Sequence, residues 1–213
     1  MRKSVFAGAL VATAALAAPA LANDSVIKCI ADDNNWCMQQ GNYDATRYSK
    51  LDQVNTKNVG SLKVAWTFST GVLRGHEGSP LVIGSMMYLH TPFPNIVYAL
   101  NLDDENKIVW KYEPKQDPSV IPVMCCDTVN RGLQYADGKL FLHQADTTLV
   151  ALEAKSGKEL WKAVNGDPKR GETGTGAAIV VGDVVMIGVS GAEFGVRCFW
   201  TGYDINSGKM LYR

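Results

Sequence analysis

Residues Ala151-Leu152-Glu153-Ala154-Lys155-Ser156-Gly157-Lys158-Glu159-Leu160-Trp161 read as an apolar strand, a polar turn and a second strand closed by an aromatic. The same phrase occurs twice more. Ala99-Leu100-Asn101 leads to Trp110, and Gly202-Tyr203-Asp204 passes through Ser207-Gly208-Lys209 to Tyr212. The closing aromatics are 51 residues apart in both intervals. Upstream of each phrase lies a hairpin signal flanked by β-formers: Val82-Ile83-Gly84-Ser85-Met86, Tyr135-Ala136-Asp137-Gly138-Lys139 and Val181-Gly182-Asp183-Val184. Each repeat is therefore expected to be four short strands. A repeat of this length made of four strands is a β-propeller blade, which buries its faces against its neighbours around a central axis. The fold class expected is all-β, with about three blades present.

Propellers use about four to eight blades. Three cannot close a ring, so the sequence is expected to be truncated. Val64-Ala65-Trp66-Thr67-Phe68 has no hairpin of its own upstream and is expected to supply the outer strand of the last blade. No other stretch shows a helical apolar period once the N-terminus is set aside.

That N-terminus, residues 1–22, reads as a secretory signal peptide. Arg2 and Lys3 precede an apolar run that is interrupted by Pro19 and ends in Ala20-Leu21-Ala22, a small-x-small cleavage signal. Residues 23–213 are then the propeller part. The whole chain has 213 residues, 46% apolar, with 21 basic and 21 acidic side chains. Loss of Arg2 and Lys3 leaves 19 basic against 21 acidic, a mature charge of about −2. Neither a nucleic-acid footprint nor a membrane-surface patch follows from that balance. No stable membrane insertion is expected either. Export permits disulfides, and five cysteines follow the leader: Cys29, Cys37, Cys125, Cys126 and Cys198. No C-x-x-C pair is present and His76, His90 and His143 are scattered, which speaks against zinc.

Counting back seven residues from each hairpin glycine gives Glu77, Arg131 and Thr175. Strand starts of successive blades converge at one rim of the axial channel, so an acid, an arginine and a hydroxyl would meet there and suit a polar, anionic small molecule. The third repeat carries an excess after its second strand, which returns to the rim of Thr175. The excess contains Ser190-Gly191-Ala192-Glu193-Phe194-Gly195-Val196-Arg197. Small residues admit close backbone approach, and Glu193 offers a hard oxygen to calcium or a lanthanide. Gly174-Thr175-Gly176 is not a nucleotide loop, because it precedes a strand and no helix follows.

Cys125 and Cys126 stand just upstream of Arg131. Neighbouring cysteines usually take separate distant partners, because a bond between them closes an eight-membered ring and distorts the peptide. Few partners are in reach here. A bond between the two makes sense only at a functional site, where a flat sulfur ring packs on a planar ligand.

Taken together, Gly75-His76-Glu77-Gly78-Ser79-Pro80, Cys125-Cys126-Asp127 to Arg131-Gly132, Gly174-Thr175-Gly176 and Ser190 to Arg197 resemble segments of methanol dehydrogenases that use pyrroloquinoline quinone (PQQ). Phe93-Pro94-Asn95-Ile96-Val97-Tyr98 and His143-Gln144-Ala145-Asp146-Thr147-Thr148 resemble the lanthanide-dependent branch. The resemblance runs from about Trp36 to Arg213 and implies part of an eight-bladed propeller.

It also implies a periplasmic enzyme, a homodimer when complete. Such an enzyme oxidises methanol or other short primary alcohols by hydride transfer to PQQ and passes electrons to a cytochrome c. In this implied site a Cys125–Cys126 disulfide stacks on PQQ. Glu77, Arg131, Thr175 and Ser190 bond its edge, Gly191 and Ala192 lend backbone, and Glu193 ligates one lanthanide or calcium ion. The catalytic base would follow Arg213, leaving this chain inactive alone. The alternatives are a quinoprotein for larger alcohols or sugars and a non-catalytic propeller scaffold. One departure concerns Cys198, which stands where the family usually has glycine; a β-carbon there would disturb the Glu193 loop if φ were positive. Cys29 and Cys37 are close enough in sequence for a local disulfide.

Overall fold

The computed structural model describes residues 22–213, so the expected leader lies, apart from Ala22, outside the described residues. Three antiparallel four-stranded meanders account for the strands. The first contains β1 (Leu81–Ile83), β2 (Met86–His90), β3 (Val97–Asn101) and β4 (Lys107–Tyr112). The second contains β5 (Leu133–Ala136), β6 (Lys139–His143), β7 (Thr148–Glu153) and β8 (Glu159–Val164). The third contains β9 (Ile179–Val181), β10 (Val184–Gly188), β11 (Trp200–Asp204) and β12 (Met210–Tyr212). Each sheet pairs its strands in chain order. A bulge interrupts the last pairing of each at the same place, Ala99/Leu100, Ala151/Leu152 and Gly202/Tyr203. The blades expected from the repeat are present.

The two larger apolar cores lie between sheets. Leu81, Tyr88 and Val97 of the first blade pack on Leu133, Leu140 and Val150 of the second. Phe141 and Leu149 of the second pack with Val180, Ile187 and Tyr203 of the third. The closing tryptophans of the first two phrases belong to these joints, whereas Tyr212 of the third is half exposed. Trp110 donates its indole N–H to the Ala154 carbonyl of the next blade at 3.0 Å, and Trp161 does the same to Ile205 at 3.2 Å. Each indole lies against the turn glycine of the following blade, so a Cβ on Gly157 would stand 2.5 Å from Trp110 and one on Gly208 2.5 Å from Trp161. Both glycines have positive φ, 72° and 68°. The Ser-Gly-Lys turn is therefore a socket as well as a turn.

One local expectation is corrected. A helix, α1 (Asp24–Ile30), follows Asn23, whose side-chain oxygen accepts from the amides of Ser25 and Val26. Two turns are too short to print a helical period, and the stability of α1 comes from docking. Asn23 Nδ2 reaches Asp137 Oδ2 and the Gly182 carbonyl, while the Asp137 amide donates to Ser25 Oγ at 2.7 Å, so the cap clasps the hairpins of blades two and three. A Cys29–Cys37 disulfide closes the following loop. Residues 64–68, expected to complete a last blade that this chain does not contain, form no strand here. Val64 is 80% exposed there. An extended segment becomes a strand only through a hydrogen-bonded neighbour, and no strand among the described residues offers one.

Gly157→Ala should lower stability by about 2 kcal/mol or more, through φ strain and displacement of Trp110. Gly60→Ala, with open space around it, should change stability by less than about 0.5 kcal/mol. Denaturant midpoints of the two variants compare them, and equal midpoints would contradict the socket.

Candidate functional site

The hairpins decide which residues reach the rim. Ile83 pairs with Met86, Ala136 with Lys139 and Val181 with Val184, so each turn has two central residues. In the first and third hairpins only the first of these has positive φ, Gly84 at 58° and Gly182 at 55°. In the second both do, Asp137 at 50° and Gly138 at 71°. The first pattern is that of a II′ turn and the second that of a I′ turn, which places glycine one residue later. Counting from the glycine is therefore one residue out in the second blade. By strand register Asn130, not Arg131, is the equivalent of Glu77 and Thr175, and Arg131 faces the other way.

Both residues contribute to the rim. Asn130 is 1% exposed and donates from Nδ2 to the His143 carbonyl at 2.8 Å. Arg131 is exposed, and its Nε lies 3.2 Å from Glu77 Oε2. With both side chains about half exposed, such a pair contributes ~0–1 kcal/mol; its effect is to orient the guanidinium and leave the two terminal nitrogens uncommitted. The Arg131 amide donates to the Thr175 carbonyl at 2.9 Å. Thr175 Oγ1 and Ser190 Oγ are 3.0 Å apart, and Thr173 and Ser190 exchange two backbone bonds. Glu77, Arg131, Thr175 and Ser190 are thus linked in one chain across three blades.

The Glu193 loop continues from Ser190. Gly191 has φ of 127°, and a Cβ on it would stand 2.1 Å from the Gly171 carbonyl oxygen. Ala192–Phe194 then form one 3-10 turn that leaves Ala192 and Glu193 exposed. Gly195, with φ of 79°, ends it. Cys198 is exposed and free, and it is not among the residues with positive φ. The β-carbon there is accommodated without backbone strain, and the turn is made by Gly191 and Gly195. Among the described residues no three His, Cys, Asp or Glu side chains group as a metal site. Any ion at Glu193 needs ligands from elsewhere.

Cys125 and Cys126 are bonded to each other. The next turn is unusual: Cys126, Asp127 and Thr128 have φ of 63°, 58° and 68°. Arg74 binds Asp127 at 2.7 Å, and the Thr128 carbonyl accepts from Phe93 at 3.0 Å, so the turn is held from two sides.

Gln39 was not foreseen. It is buried and brackets Ser79, accepting from its amide at 2.7 Å and donating to its carbonyl at 3.0 Å. A Cβ on Gly132 would stand 2.1 Å from its side chain. Gln39 lies outside the repeats, so periodicity gives no signal for it. With Glu77, Ser79 and Arg131 it lines a cleft of about 280 Å³.

The fold and rim define a class first: propeller blades whose polar strand starts are linked across successive blades beside a cleft, with a bonded pair of adjacent cysteines a few residues upstream of Arg131. The chain belongs to the PQQ-dependent glucose/ethanol/alcohol dehydrogenase β-propeller family, whose sequence profile matches residues 36–212. It is 66% identical over 205 residues to the lanthanide-dependent methanol dehydrogenase of Methylorubrum extorquens, covering 96% of this chain and 34% of that protein. It is 48% identical over 216 residues to methanol dehydrogenase [cytochrome c] subunit 1 of the same organism, covering 99% and 34%. A solved europium-containing methanol dehydrogenase superposes with a TM-score of 0.87 at 53% identity, over 89% of this chain and 33% of that one. The chain spans about a third of the length of these relatives.

His90 and His143 are fully buried, and desolvation pushes both pKa values down to about 4 from 6.5. Between those values the unfolded chain binds protons that the folded chain refuses. Stability is therefore complete above pH ~6.5 and falls as pH drops toward ~4, by up to about 3 kcal/mol per ring. Urea midpoints measured from about pH 7.5 to 4.5 should decline, and His90→Gln/His143→Asn should flatten the decline. A wild-type profile that stays level would contradict the buried neutral rings.

Proposed function

We propose that the protein carrying this chain is a periplasmic quinoprotein that oxidises methanol or another short primary alcohol and passes electrons to a cytochrome c. Its cofactors are PQQ and one lanthanide or calcium ion, and it works as a homodimer. The observation that carries this reading is the linked rim, with the bonded cysteine pair five and six residues upstream of Arg131. The names of the similar proteins support the substrate, the lanthanide and the cytochrome. Among the described residues no helix is long and apolar enough to cross a membrane.

The donors suit PQQ, a planar anion with carboxylates and quinone oxygens. Arg131, held at Nε by Glu77, offers its remaining fork to a carboxylate in bidentate geometry. The Thr175 and Ser190 hydroxyls, already 3.0 Å apart, suit oxygens on the ring edge. Gly191 and Ala192 lend backbone where side chains are absent or small. The Cys125–Cys126 ring supplies a rigid, polarizable face for stacking. Glu193 is the ligand for the ion, its carboxylate presented to solvent by the 3-10 turn.

When bound, metal-activated PQQ supplies the hydride acceptor. This chain's residues bind it, fix its plane against the cysteine pair and neutralise its charge. The inactivity of this chain alone, with a base supplied by further sequence, belongs to the same proposal.

Arg131→Lys in the intact protein should weaken PQQ binding about tenfold to a hundredfold, the loss expected for a bidentate charge-assisted pair. Equilibrium titration of PQQ checks this, and unchanged affinity removes Arg131 from the site. Methanol-dependent dye reduction by the intact protein with PQQ and lanthanum or calcium tests the activity. A protein that binds PQQ yet reduces dye only with larger alcohols or sugars would shift the substrate assignment.

A further inference from the structure

His90 and His143 occupy the same place in successive blades. Each is the last residue of its blade's second strand, and the pairings Ile83 to Met86 and Ala136 to Lys139 set them in register. The equivalent in the third blade is Gly188. Each imidazole leaves its own blade and reaches a carbonyl in the rim segment of the next. His90 Nε2 lies 3.1 Å from the Asn130 carbonyl oxygen, one residue before Arg131. His143 Nδ1 lies 3.3 Å from the Gly176 carbonyl oxygen, one residue after Thr175. Each ring is also pressed on a rim glycine. A Cβ on Gly78, next to Glu77, would stand 2.0 Å from the His90 ring, and one on Gly174, next to Thr175, 2.7 Å from His143 Nε2.

The two latches are joined. Asn130, whose carbonyl faces His90, donates from its side chain to the His143 carbonyl. Arg131 and Thr175 are joined by a backbone bond.

Packing alone does not explain a histidine in either place. A buried leucine fills similar volume without a desolvation cost. His143 Nε2 is buried with no partner, which subtracts from stability rather than adding to it. Since burial keeps each ring neutral, each has a single N–H, and its partner fixes the tautomer: Nε2–H in His90 and Nδ1–H in His143.

The geometry points to a role for His90 and His143 as positioning residues that latch each blade's neighbour and hold Arg131 and Thr175 at the spacing the cofactor requires. This rests on the rim being the PQQ site. The opposite tautomers give a test that volume cannot mimic. Glutamine places an amide nitrogen where histidine has Nε2, and asparagine places one where histidine has Nδ1.

In the intact protein, each histidine is changed to Asn, Gln and Leu. Affinity for PQQ is measured by titration, and protection of the Arg131 amide by hydrogen exchange. The latch predicts that His90→Gln and His143→Asn remain within about threefold of wild-type affinity, while His90→Asn, His143→Gln and both Leu variants lose about tenfold or more. Arg131 amide protection should follow the same order. Equal behaviour of Asn and Gln at each position would overturn the latch, as would Leu variants with wild-type affinity and protection. Failure of the wild type to bind PQQ would sink the cofactor reading but not the latch. Protection of the Arg131 amide then decides alone: the crossed order of Asn and Gln supports the latch and its absence overturns it.

Discussion

A four-stranded sheet of three- to six-residue strands cannot bury both of its faces by itself, so each blade depends on contact with the next. The contact that registers them is the indole in the socket: Trp110 over Gly157 with its N–H on the Ala154 carbonyl, then Trp161 over Gly208 with its N–H on the Ile205 carbonyl. Burying an indole stabilises by a few kcal/mol (~3–5 on truncation to alanine), and the hydrogen bond adds direction. Tyr88 and Phe141, at equivalent places in β2 and β6, pack on these indoles at 5.9 and 5.8 Å. Sheet pairing fixes distances within a blade, whereas the socket fixes the angle between blades. That angle determines where the rim residues meet.

The rim follows from this with little further freedom. Strand starts that would otherwise be separate loops become neighbours because their blades are already docked. Three hydrogen bonds cross blade boundaries, Arg131 to Thr175 and the two imidazoles to Asn130 and Gly176, and Asn130 to His143 braces the second blade between them. α1 and Gln39 fasten the same structure from the N-terminal side, the first across two hairpins and the second along Ser79. The N-terminal stretch, which carries none of the repeat, thereby contributes to the order of the rim.

Much of this was legible because repetition multiplies a weak signal. One Ser-Gly-Lys turn before an aromatic means little, but two such turns and three closing aromatics at a constant interval specify blades, and the hairpin glycines locate the strand starts. The reading failed where the signal was not periodic. α1 has two turns and an Asn cap but too few residues for an apolar stripe. The rim count slipped at Arg131 because glycine marks the first position of a II′ turn and the second of a I′ turn, and sequence alone does not say which is present. Gln39 and the two histidines act through backbone carbonyls and amides, which have no side-chain signature to search for.

The slip at Arg131 also shows how one blade supplies two functions from adjacent residues. Alternation along an extended chain sends successive side chains to opposite faces. Asn130 goes inward and ties the start of its blade's first strand to His143 at the end of the second, while Arg131 goes outward toward Glu77 and the cleft. The structural anchor is therefore one bond away from the binding group, and motion of one is transmitted to the other. The cysteine turn upstream has a comparable arrangement. Three consecutive residues with positive φ and no glycine among them cost on the order of 1–3 kcal/mol each, and such a turn persists only where its surroundings hold it. Arg74 on Asp127 and Phe93 on the Thr128 carbonyl provide that hold. The strained turn leads within three residues of Thr128 to Arg131, so the rigid sulfur face and the guanidinium are presented by one short segment whose ends are both fixed.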